Sequence, residues 1–453
     1  MPQLQNLLLG TLCVSSVACI RSQPQSCEEL VMDNSIHVNG VEVTWITTEP
    51  STLSVSYTVD GGEAVTRVIS DAESTEHSGR LYGLPSLSEV AYTVTAESGD
   101  STVTCEGSLT TGNLPPELPQ LTVTVNESGA TSSERYLVGV AMESEDSYPF
   151  IIDREGQIVW YWSSDEIASA PQVEVAADGR GLLVGTFSFD RAIDTGAMIR
   201  VDLLGEVIES TPLTSGHHFF EQLSEDTVAY PAIDVRAWDS PKGNRDVVGD
   251  AVVELTVSDD TQVEVFNTWD WREPEIHEFF WGNFYPQGAD WSHLNSIHTV
   301  PGSTDQLIIS LPFLATALVI ERSTGSVLRE LSPENYDFGN APLVEAHDVR
   351  LIDDDTLSAI SHYPTVTRVV EYDISDPDQT ITPIWSYDSD IRSNFMGQFF
   401  RLSNGNRLVN FGSAGIIQEV TEDGEVVWEL QSSLGSWFGN SVLIDDVYEA
   451  GGI

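Results

Sequence analysis

Two histidines stand at equivalent places in a repeated sequence pattern, and their side chains could do chemistry. His218 lies eight residues before the turn at Asp226, and His347 lies eight residues before the turn at Asp355. A neutral imidazole is a nucleophile near pH 7, and it also binds transition metals. A single histidine is more often a structural residue with its hydrogen bonds satisfied. The shared register favours a functional cluster.

Other polar residues occupy the same register in further copies of the pattern. Gln172 and Gln398 each lie eight residues before a turn, and a copy with a longer turn offers His293, Asn295 and His298. Equivalent positions of repeats arranged in a ring converge on one axis. The sequence therefore predicts that these side chains meet in one polar pocket.

The elements that must position these side chains are short β-strands. An apolar strand, an acidic or glycine turn and a second strand recur from residues 150–160 to residues 417–428. The copies are spaced by roughly 50–65 residues, as expected for propeller blades with insertions. Residues 438–444 have no partner strands after them, and residues 136–162 have none before them. Pairing the two ends would close a ring, so we predict an all-β chain with a six-bladed β-propeller over residues 130–453.

A smaller β-rich segment precedes the propeller. Short alternating strands between residues 27 and 112 predict a β-sandwich. Trp45, Leu84 and Tyr92 resemble the core tryptophan and tyrosine corner of a fibronectin type III domain, which implies a spacer and not a catalyst. Closely spaced prolines then predict an extended linker over residues 113–129.

The N-terminus predicts export. Residues 1–19 contain a short apolar run that ends in small residues, which is typical of a secretory signal. Residues 16–19 resemble a bacterial lipobox in which Cys19 would be lipidated, with plain secretion as the alternative. Cys27 and Cys105 are the cysteines beyond the signal, and an exported chain can oxidise them. We expect a periplasmic or cell-surface lipoprotein, or otherwise a secreted protein, with a disulfide between Cys27 and Cys105.

Composition excludes some partners. The 453 residues include 19 Lys and Arg against 71 Asp and Glu, for a formal charge of −52. Phosphate contacts need clustered cations, so we expect no nucleic acid and no membrane contact except through a lipid anchor. The 11 Trp, 16 Phe and 13 Tyr supply apolar surface to bury, so the acidity indicates a solvated shell suited to salt and not disorder.

An aromatic insertion could cover the pocket and grip an aromatic ligand by stacking. Packing of a small core of its own is an equal alternative. Its members are Trp269, Trp271, Phe279, Phe280, Trp281, Phe284, Tyr285 and Trp291.

Three segments together resemble the bacterial arylsulfotransferase family, whose members are PAPS-independent aryl-sulfate sulfotransferases built on a six-bladed propeller. They are residues 290–297, residues 346–351, and residues 402–408 followed by residues 421–428. The resemblance covers about residues 130–446.

The resemblance implies a histidine that carries a sulfuryl group from a phenolic donor to a phenolic acceptor. His347 would be the nucleophile, and His218, His293 and Asn295 would bind the transferring group. The substrates would be small phenols or aryl sulfates. We expect no cofactor and no metal.

One departure from the family leaves other functions open. Members usually carry an arginine where this chain has residues 310–313, Ser-Leu-Pro-Phe, and no arginine follows until Arg322. An anionic ester needs local cations, for which Arg350 and Arg392 are candidates.

The missing arginine favours a non-catalytic surface binding propeller as an alternative. A zinc or other transition-metal site is a further alternative. Its ligands would be His218, His293, His298 and His347.

Overall fold

The computed structural model describes residues 26–143, 146–163, 169–187, 196–240, 243–274, 285–376, 380–433 and 436–451. These residues form an all-β structure with a single short helix, α1 (Thr268–Trp271). No helix among them combines the length and the apolar character needed to cross a membrane. The predicted signal and lipobox, with Cys19, lie outside the described residues. The chain divides into two compact units.

The first unit contains residues up to Asp33, Glu42–Arg80 and Val90–Leu109. Five strands form one connected sheet in the order β1-β2-β4-β5, with β3 paired to β2. They are β1 (Leu30–His37), β2 (Gly40–Val59), β3 (Val65–Leu81), β4 (Glu89–Ser98) and β5 (Ser101–Thr110).

Alternating side chains of β2 are buried, including Val43, Trp45, Leu53 and Val55, as a strand with one covered face requires. Cys27 and Cys105 form a disulfide. The fibronectin-like sandwich remains a prediction.

The second unit is discontinuous along the chain. It includes Asn34–Val41, Leu81–Glu89 and Thr110–Ile453. Part of the predicted linker, residues 121–126, is not a linker but a strand, β6 (Leu121–Asn126), which pairs with residues 428–432. Its alternation of half-buried and exposed residues lets it add to a sheet edge.

The described part of the second unit contains six sheets, whose strands pair antiparallel except for one short parallel pair in sheet 2. Sheet 1 contains β10 (Gln172–Val175), β11 (Leu182–Thr186), β12 (Ala197–Val201) and β13 (Val207–Pro212). Sheet 2 contains β14 (Glu221–Gln222), β15 (Thr227–Ser240), β16 (Gly243–Thr256) and β17 (Thr261–Asn267), with β18 (Ala289–Asp290) parallel to β16. Sheet 3 contains β19 (Ser296–Thr299), β20 (Gln306–Leu311), β21 (Thr316–Glu321) and β22 (Val327–Leu331).

The remaining three sheets include both ends of the unit. Sheet 4 contains β23 (His347–Asp353), β24 (Thr356–His362), β25 (Thr367–Asp373) and β26 (Thr382–Ser389). Sheet 5 contains β27 (Gln398–Arg401), β28 (Arg407–Asn410), β29 (Ile416–Val420) and β30 (Val426–Ser432), extended by β6. Sheet 6 joins β31 (Ser436–Ile444) to β7 (Tyr136–Glu143), β8 (Asp146–Asp153) and β9 (Ile158–Tyr161). The predicted pairing of the last strand with the first is therefore present.

The apolar core of this unit lies between neighbouring sheets. Ile308 and Val319 of sheet 3, for example, pack with Val349 and Val370 of sheet 4. Comparable clusters join each successive pair of sheets, and one joins sheet 6 to sheet 1. Many strands are therefore buried on both faces, and their sequences are continuous apolar runs.

Polar links between the sheets also run in order among the described residues. In each link, a side chain near the first strand of one sheet forms a hydrogen bond with the backbone near the first strand of the next sheet. The pairs are Gln172 with Phe220, Glu221 with Thr299, Asn295 with Ala346, Asp348 with Phe399, Gln398 with Ser441, and Asn440 with Val173. These links set the relative positions of the segments that carry the predicted site residues.

Candidate active site

The structure brings the predicted histidines into one buried cluster. His347 is the first residue of β23, whereas His218 and His293 each lie three residues before the first strand of their sheets. The ring centroids of His218 and His293 are 4.9 Å apart, edge to face. Burial lowers the pKa of His218 well below 6.5, and positive charge on His217, His293 or His347 would lower it further. His218 is therefore a neutral imidazole near pH 7.

One ring nitrogen of His347 forms a hydrogen bond with the backbone, and the other has no partner among the described residues. Its Nδ1 lies 3.0 Å from the carbonyl oxygen of Glu345, which can only accept a hydrogen bond, so Nδ1 carries the proton. Its Nε2 makes no hydrogen bond to any described residue and keeps its lone pair. Burial, followed by the neighbouring His362, lowers the pKa of His347 well below 6.5. The side chain is thus a neutral, oriented imidazole with a free lone pair on Nε2.

The backbone around the cluster adopts a conformation that residues other than glycine rarely take. The φ angles are +60° at His218, +55° at His293, +43° at Glu345 and +50° at Asp348. Left-handed backbone at such residues costs of order 1–3 kcal/mol each, and the surrounding structure must compensate. This strain concentrates at the segments that present the histidines.

Two buried aspartates contact the segments that carry the histidines. The sequence analysis identified neither of them as a site residue. Asp290 Oδ2 lies 2.5 Å from His293 Nδ1, and burial raises the pKa of Asp290 while His293 opposes that shift. Asp250 accepts hydrogen bonds from Ser292 Oγ and from the Leu294 backbone, which fixes the segment around His293.

A second chain of contacts leads from Asp250 to His218. Asp250 Oδ1 is 3.1 Å from His217 Nε2, and His217 Nδ1 is 2.6 Å from His218 Nδ1. In the sequence, only closeness to the predicted histidines pointed to these residues. His217 adjoins His218, and Asp290 precedes His293 by three residues.

His362 was also missed. Its ring centroid lies 4.9 Å from that of His347, and its Nδ1 lies 3.1 Å from the carbonyl oxygen of Ser393. It is the last residue of β24, two residues after Ile360, which is the cross-strand partner of His347, so it lies outside the predicted register. Burial lowers the pKa of His362 to about 4, against the opposing effect of the Ser393 and Met396 carbonyls.

Polar residues of the predicted pocket also support the backbone. Asn295 Nδ2 donates to the carbonyl oxygen of Ala346, one residue before His347, at 3.1 Å. Gln172 and Gln398 face the same cavity as His347, but their amides bind the backbone of neighbouring strands. These three side chains position the segments that carry the site.

His298 contacts two carboxylates. Its Nδ1 is 3.3 Å from Glu221 Oε2, and its Nε2 is 3.0 Å from Asp348 Oδ1. Burial and Arg350 lower its pKa, but these carboxylates outweigh them and the pKa is raised above 6.5. Among the described ranges, no group of three or more His, Cys, Asp or Glu is placed to hold a metal ion.

An aromatic ring stands where the family arginine was expected. Phe313 stacks on His293 with centroids 4.4 Å apart and planes 12° apart. Arg322 is bound elsewhere, with its Nε 2.6 Å from Glu254 Oε1. Arg350 pairs with Asp348 and lies over the ring of Phe400. Of the two candidate replacements, Arg350 is thus already neutralised by a carboxylate.

Some described residues of the aromatic insertion lie near the site, and others pack in a small core of their own, so both predicted roles are present. Tyr285 lies beside the cluster, with ring centroids 5.6 Å from His217 and 6.1 Å from His293. Trp269 and Trp291 pack with Val247 in a small core of their own. Trp271 packs against the apolar cluster between sheets 2 and 3. The remaining predicted members, Phe279, Phe280, Trp281 and Phe284, lie outside the described residues.

A cavity of about 380 Å³ lies between the first strands of the six sheets. His347, Asn295 and Arg350 line it, together with the carboxyl groups of Glu174 and Glu221. Burial, followed by the charge of Glu221, raises the pKa of Glu174 to about 8, so that Glu174 is mostly protonated at pH 7. The cavity is of a size that suits a small ligand.

Two family models described as arylsulfotransferase (ASST) match this chain, one over residues 122–335 and the other over residues 252–433. The chain therefore belongs to the arylsulfotransferase family, as its motifs predicted. Membership supports aryl sulfotransferase activity in general, with aryl sulfates and phenols as substrates. A comparison with curated proteins found no match.

Similarity to solved structures is low. A Bacteroides caccae protein of unknown function is 13% identical with a TM-score of 0.43, and the match covers 69% of this chain and 100% of that one. For a streptogramin B lyase the identity is 14%, the TM-score 0.36 and the coverage 72% and 98%. For Kluyveromyces lactis Hsv2p the values are 10%, 0.35, 79% and 95%. These similarities are too low to indicate a function.

Proposed function

We propose that this chain is an exported aryl-sulfate sulfotransferase that transfers the sulfuryl group through His347. The observation that carries the proposal is the orientation of that imidazole. Its Nδ1 proton is directed to the Glu345 carbonyl, so the lone pair of Nε2 is available for attack. Burial keeps the side chain neutral, and hence nucleophilic, near pH 7.

The reaction would occur in two displacements at sulfur. Nε2 of His347 attacks the sulfur of the aryl sulfate, an N–S bond forms, and the aryl oxygen leaves as a phenolate that takes a proton from water. The imidazole becomes cationic, and the Glu345 carbonyl stabilises that charge through Nδ1. The acceptor phenol then attacks the sulfur, loses its proton to water, and restores neutral His347 as the N–S bond breaks.

His218 and His293 would bind the sulfuryl oxygens. Their rings meet edge to face, and Asp290 contacts the His293 ring. Asp250 accepts from the Leu294 N–H, next to His293, and contacts the ring of His217, which in turn contacts His218. Preorganised groups of this kind stabilise developing charge without reorganising during the reaction. Asn295 would contribute indirectly, by holding the backbone before His347.

Three further parts of the proposal concern the whole chain. The ordered links and apolar clusters between successive sheets support a closed, six-bladed propeller. Export, with or without lipidation of Cys19, rests on the N-terminal sequence, and the Cys27–Cys105 disulfide fits an oxidising compartment. The first domain would act as a spacer.

Mass spectrometry after incubation with p-nitrophenyl sulfate tests the central step. We expect a sulfuryl adduct on His347 and release of p-nitrophenol that depends on added phenol. His347→Ala should remove the adduct and lower kcat/KM by about 10³-fold or more, because the covalent route is lost.

A half-buried histidine outside the cluster, His37, provides the control. His37→Ala should keep both the adduct and turnover. If the wild-type protein forms no adduct and turns over no aryl sulfate, the transferase proposal is wrong and a non-catalytic binding propeller becomes the better one.

A further inference from the structure

A second cavity, of about 760 Å³, lies beside the histidine cluster and is larger than the one that His347 lines. Pro312, Phe313, Tyr363 and Pro364 supply flat, largely apolar wall groups, and Arg392 contributes a cation. Flat aromatic and proline surfaces favour planar ligands, and the volume suits a small aromatic molecule.

This cavity is directly connected to the site residues. Its wall residue Phe313 stacks on His293, and its wall residue His362 contacts the ring of His347. Glu345, whose carbonyl oxygen accepts the Nδ1 proton of His347, lines it as well. A ligand in the cavity would therefore lie one ring away from both histidines.

Arg392 is unusual among the cations of this chain. It is exposed, and it is the one arginine in the described ranges that makes no ion pair or hydrogen bond with another described residue. With 71 acidic residues against 19 basic ones, a carboxylate partner is readily found in this protein. The other arginine of the cavity, Arg272, already pairs with Glu330 at 3.0 Å and lies 3.6 Å from Glu334.

The backbone next to Arg392 is anchored. Ser393 is buried, its N–H donates to Thr367 Oγ1 at 2.8 Å, and its carbonyl oxygen lies 3.1 Å from His362 Nδ1. The guanidinium therefore extends from a fixed point on the cavity wall, which lowers the entropic cost of binding a ligand.

A buried polar atom on the same wall also lacks a partner. His362 is only 5% exposed, and its Nε2 makes no hydrogen bond within the described part of the chain. Since Nδ1 faces the Ser393 carbonyl, Nε2 of the neutral ring presents a lone pair. Buried polar groups of this kind are normally satisfied, and a phenolic hydroxyl or a water molecule could donate to this nitrogen.

We propose that this cavity binds an aromatic anion, with the ring between the walls near Phe313 and Tyr363 and the charged group on Arg392. The inference rests on the proposed function for the identity of the ligand. Its anionic group would be the carboxylate of a phenolic acceptor, because the sulfuryl group of the donor must reach His347, which lines the other cavity.

Equilibrium binding of 4-toluenesulfonate tests the site without any turnover, since its C–S bond does not transfer a sulfuryl group. We expect calorimetry on the full chain to show binding that Arg392→Gln weakens about 3- to 10-fold, as for a partly exposed charge pair. Methanesulfonate, which lacks the ring, should bind more weakly than 4-toluenesulfonate to the wild type.

Arg180→Gln provides a matched control, because it removes the same charge from a residue that does not line the cavity. Its affinity for 4-toluenesulfonate should equal that of the wild type. Equal affinity in Arg392→Gln and the wild type, or no binding to either, would overturn the inference.

Kinetics then test the assignment to the acceptor. Arg392→Gln should raise KM for 4-hydroxybenzoate but not for its methyl ester or for p-nitrophenyl sulfate. A rise in KM for p-nitrophenyl sulfate alone would overturn that assignment. Loss of binding in Arg392→Gln without any turnover in the wild type would keep the site and reject the transferase. Turnover in the wild type, with the KM values for p-nitrophenyl sulfate, 4-hydroxybenzoate and its methyl ester all unchanged in Arg392→Gln, would keep the transferase and reject the site.

Discussion

The protonation of single residues decides how the proposed chemistry depends on pH. His347, His218 and His362 all have lowered pKa values, and burial is the largest cause for each. A positive charge on any one of them would disfavour charge on its neighbours. These three imidazoles therefore stay neutral in mildly acidic solution, where a free histidine would already be protonated.

The pH dependence of kcat/KM for the donor follows from this neutrality. Because attack needs neutral His347, and its pKa is lowered, activity should not fall as pH is lowered from about 8 to 6.5. The loss of activity should begin only below pH 6.5, the ordinary value for histidine. Initial rates at low p-nitrophenyl sulfate concentration measure this profile. An acidic midpoint at or above 6.5 would contradict a desolvated nucleophile.

At the scale of elements, the first strands of the sheets position the site through hydrogen bonds to their neighbours. Gln172 of β10 is the best placed for a test, because its amide both donates to the Phe220 carbonyl and accepts from the Phe220 N–H, each at 2.8 Å. Phe220 lies two residues after His218. One side chain therefore joins two sheets and supports the segment that presents a histidine.

Gln172→Ala should lower the free energy of unfolding by about 2–3 kcal/mol, because it leaves two buried backbone groups without partners. It should also lower kcat/KM through displacement of His218. Urea unfolding followed by tryptophan fluorescence measures the first effect. Gln120→Ala, at an exposed glutamine, should change stability by less than about 0.5 kcal/mol. Similar losses in the two variants would argue against a role for this link.

At the scale of the whole molecule, the dominant property is the charge of −52. Self-repulsion of so many carboxylates opposes the compact state, and salt screens it. Most described arginines are paired with carboxylates, so the excess acidic residues lie mainly on the solvated surface.

Stability should therefore rise with ionic strength. Raising NaCl from about 0.05 M to 1 M at pH 7 should raise Tm by roughly 5 °C. The same titration near pH 4.1, the isoelectric point of the sequence, should have a much smaller effect because the net charge is close to zero. Calorimetry at the two pH values makes the comparison. Equal salt effects would exclude self-repulsion as the cause.

Much of the architecture could be predicted from local patterns. The β-strands, the pairing of residues 438–444 with the strand that begins at Tyr136, and the common register of His218 and His347 depend on alternation and repetition along the chain. The linker prediction failed at residues 121–126 because prolines nearby favoured an extended chain, and an extended chain also suits a sheet edge.

The sequence by itself determined the strand pattern, the family and the histidines that share a register, since these are properties of residue order. Only the tertiary structure decided that Phe313 stacks on His293, that Asn295 holds the Ala346 carbonyl, and that His362 contacts His347. Such contacts depend on side-chain direction and on burial among residues distant in the chain. For the same reason, the lowered pKa of His347 became evident only once its neighbours were in place.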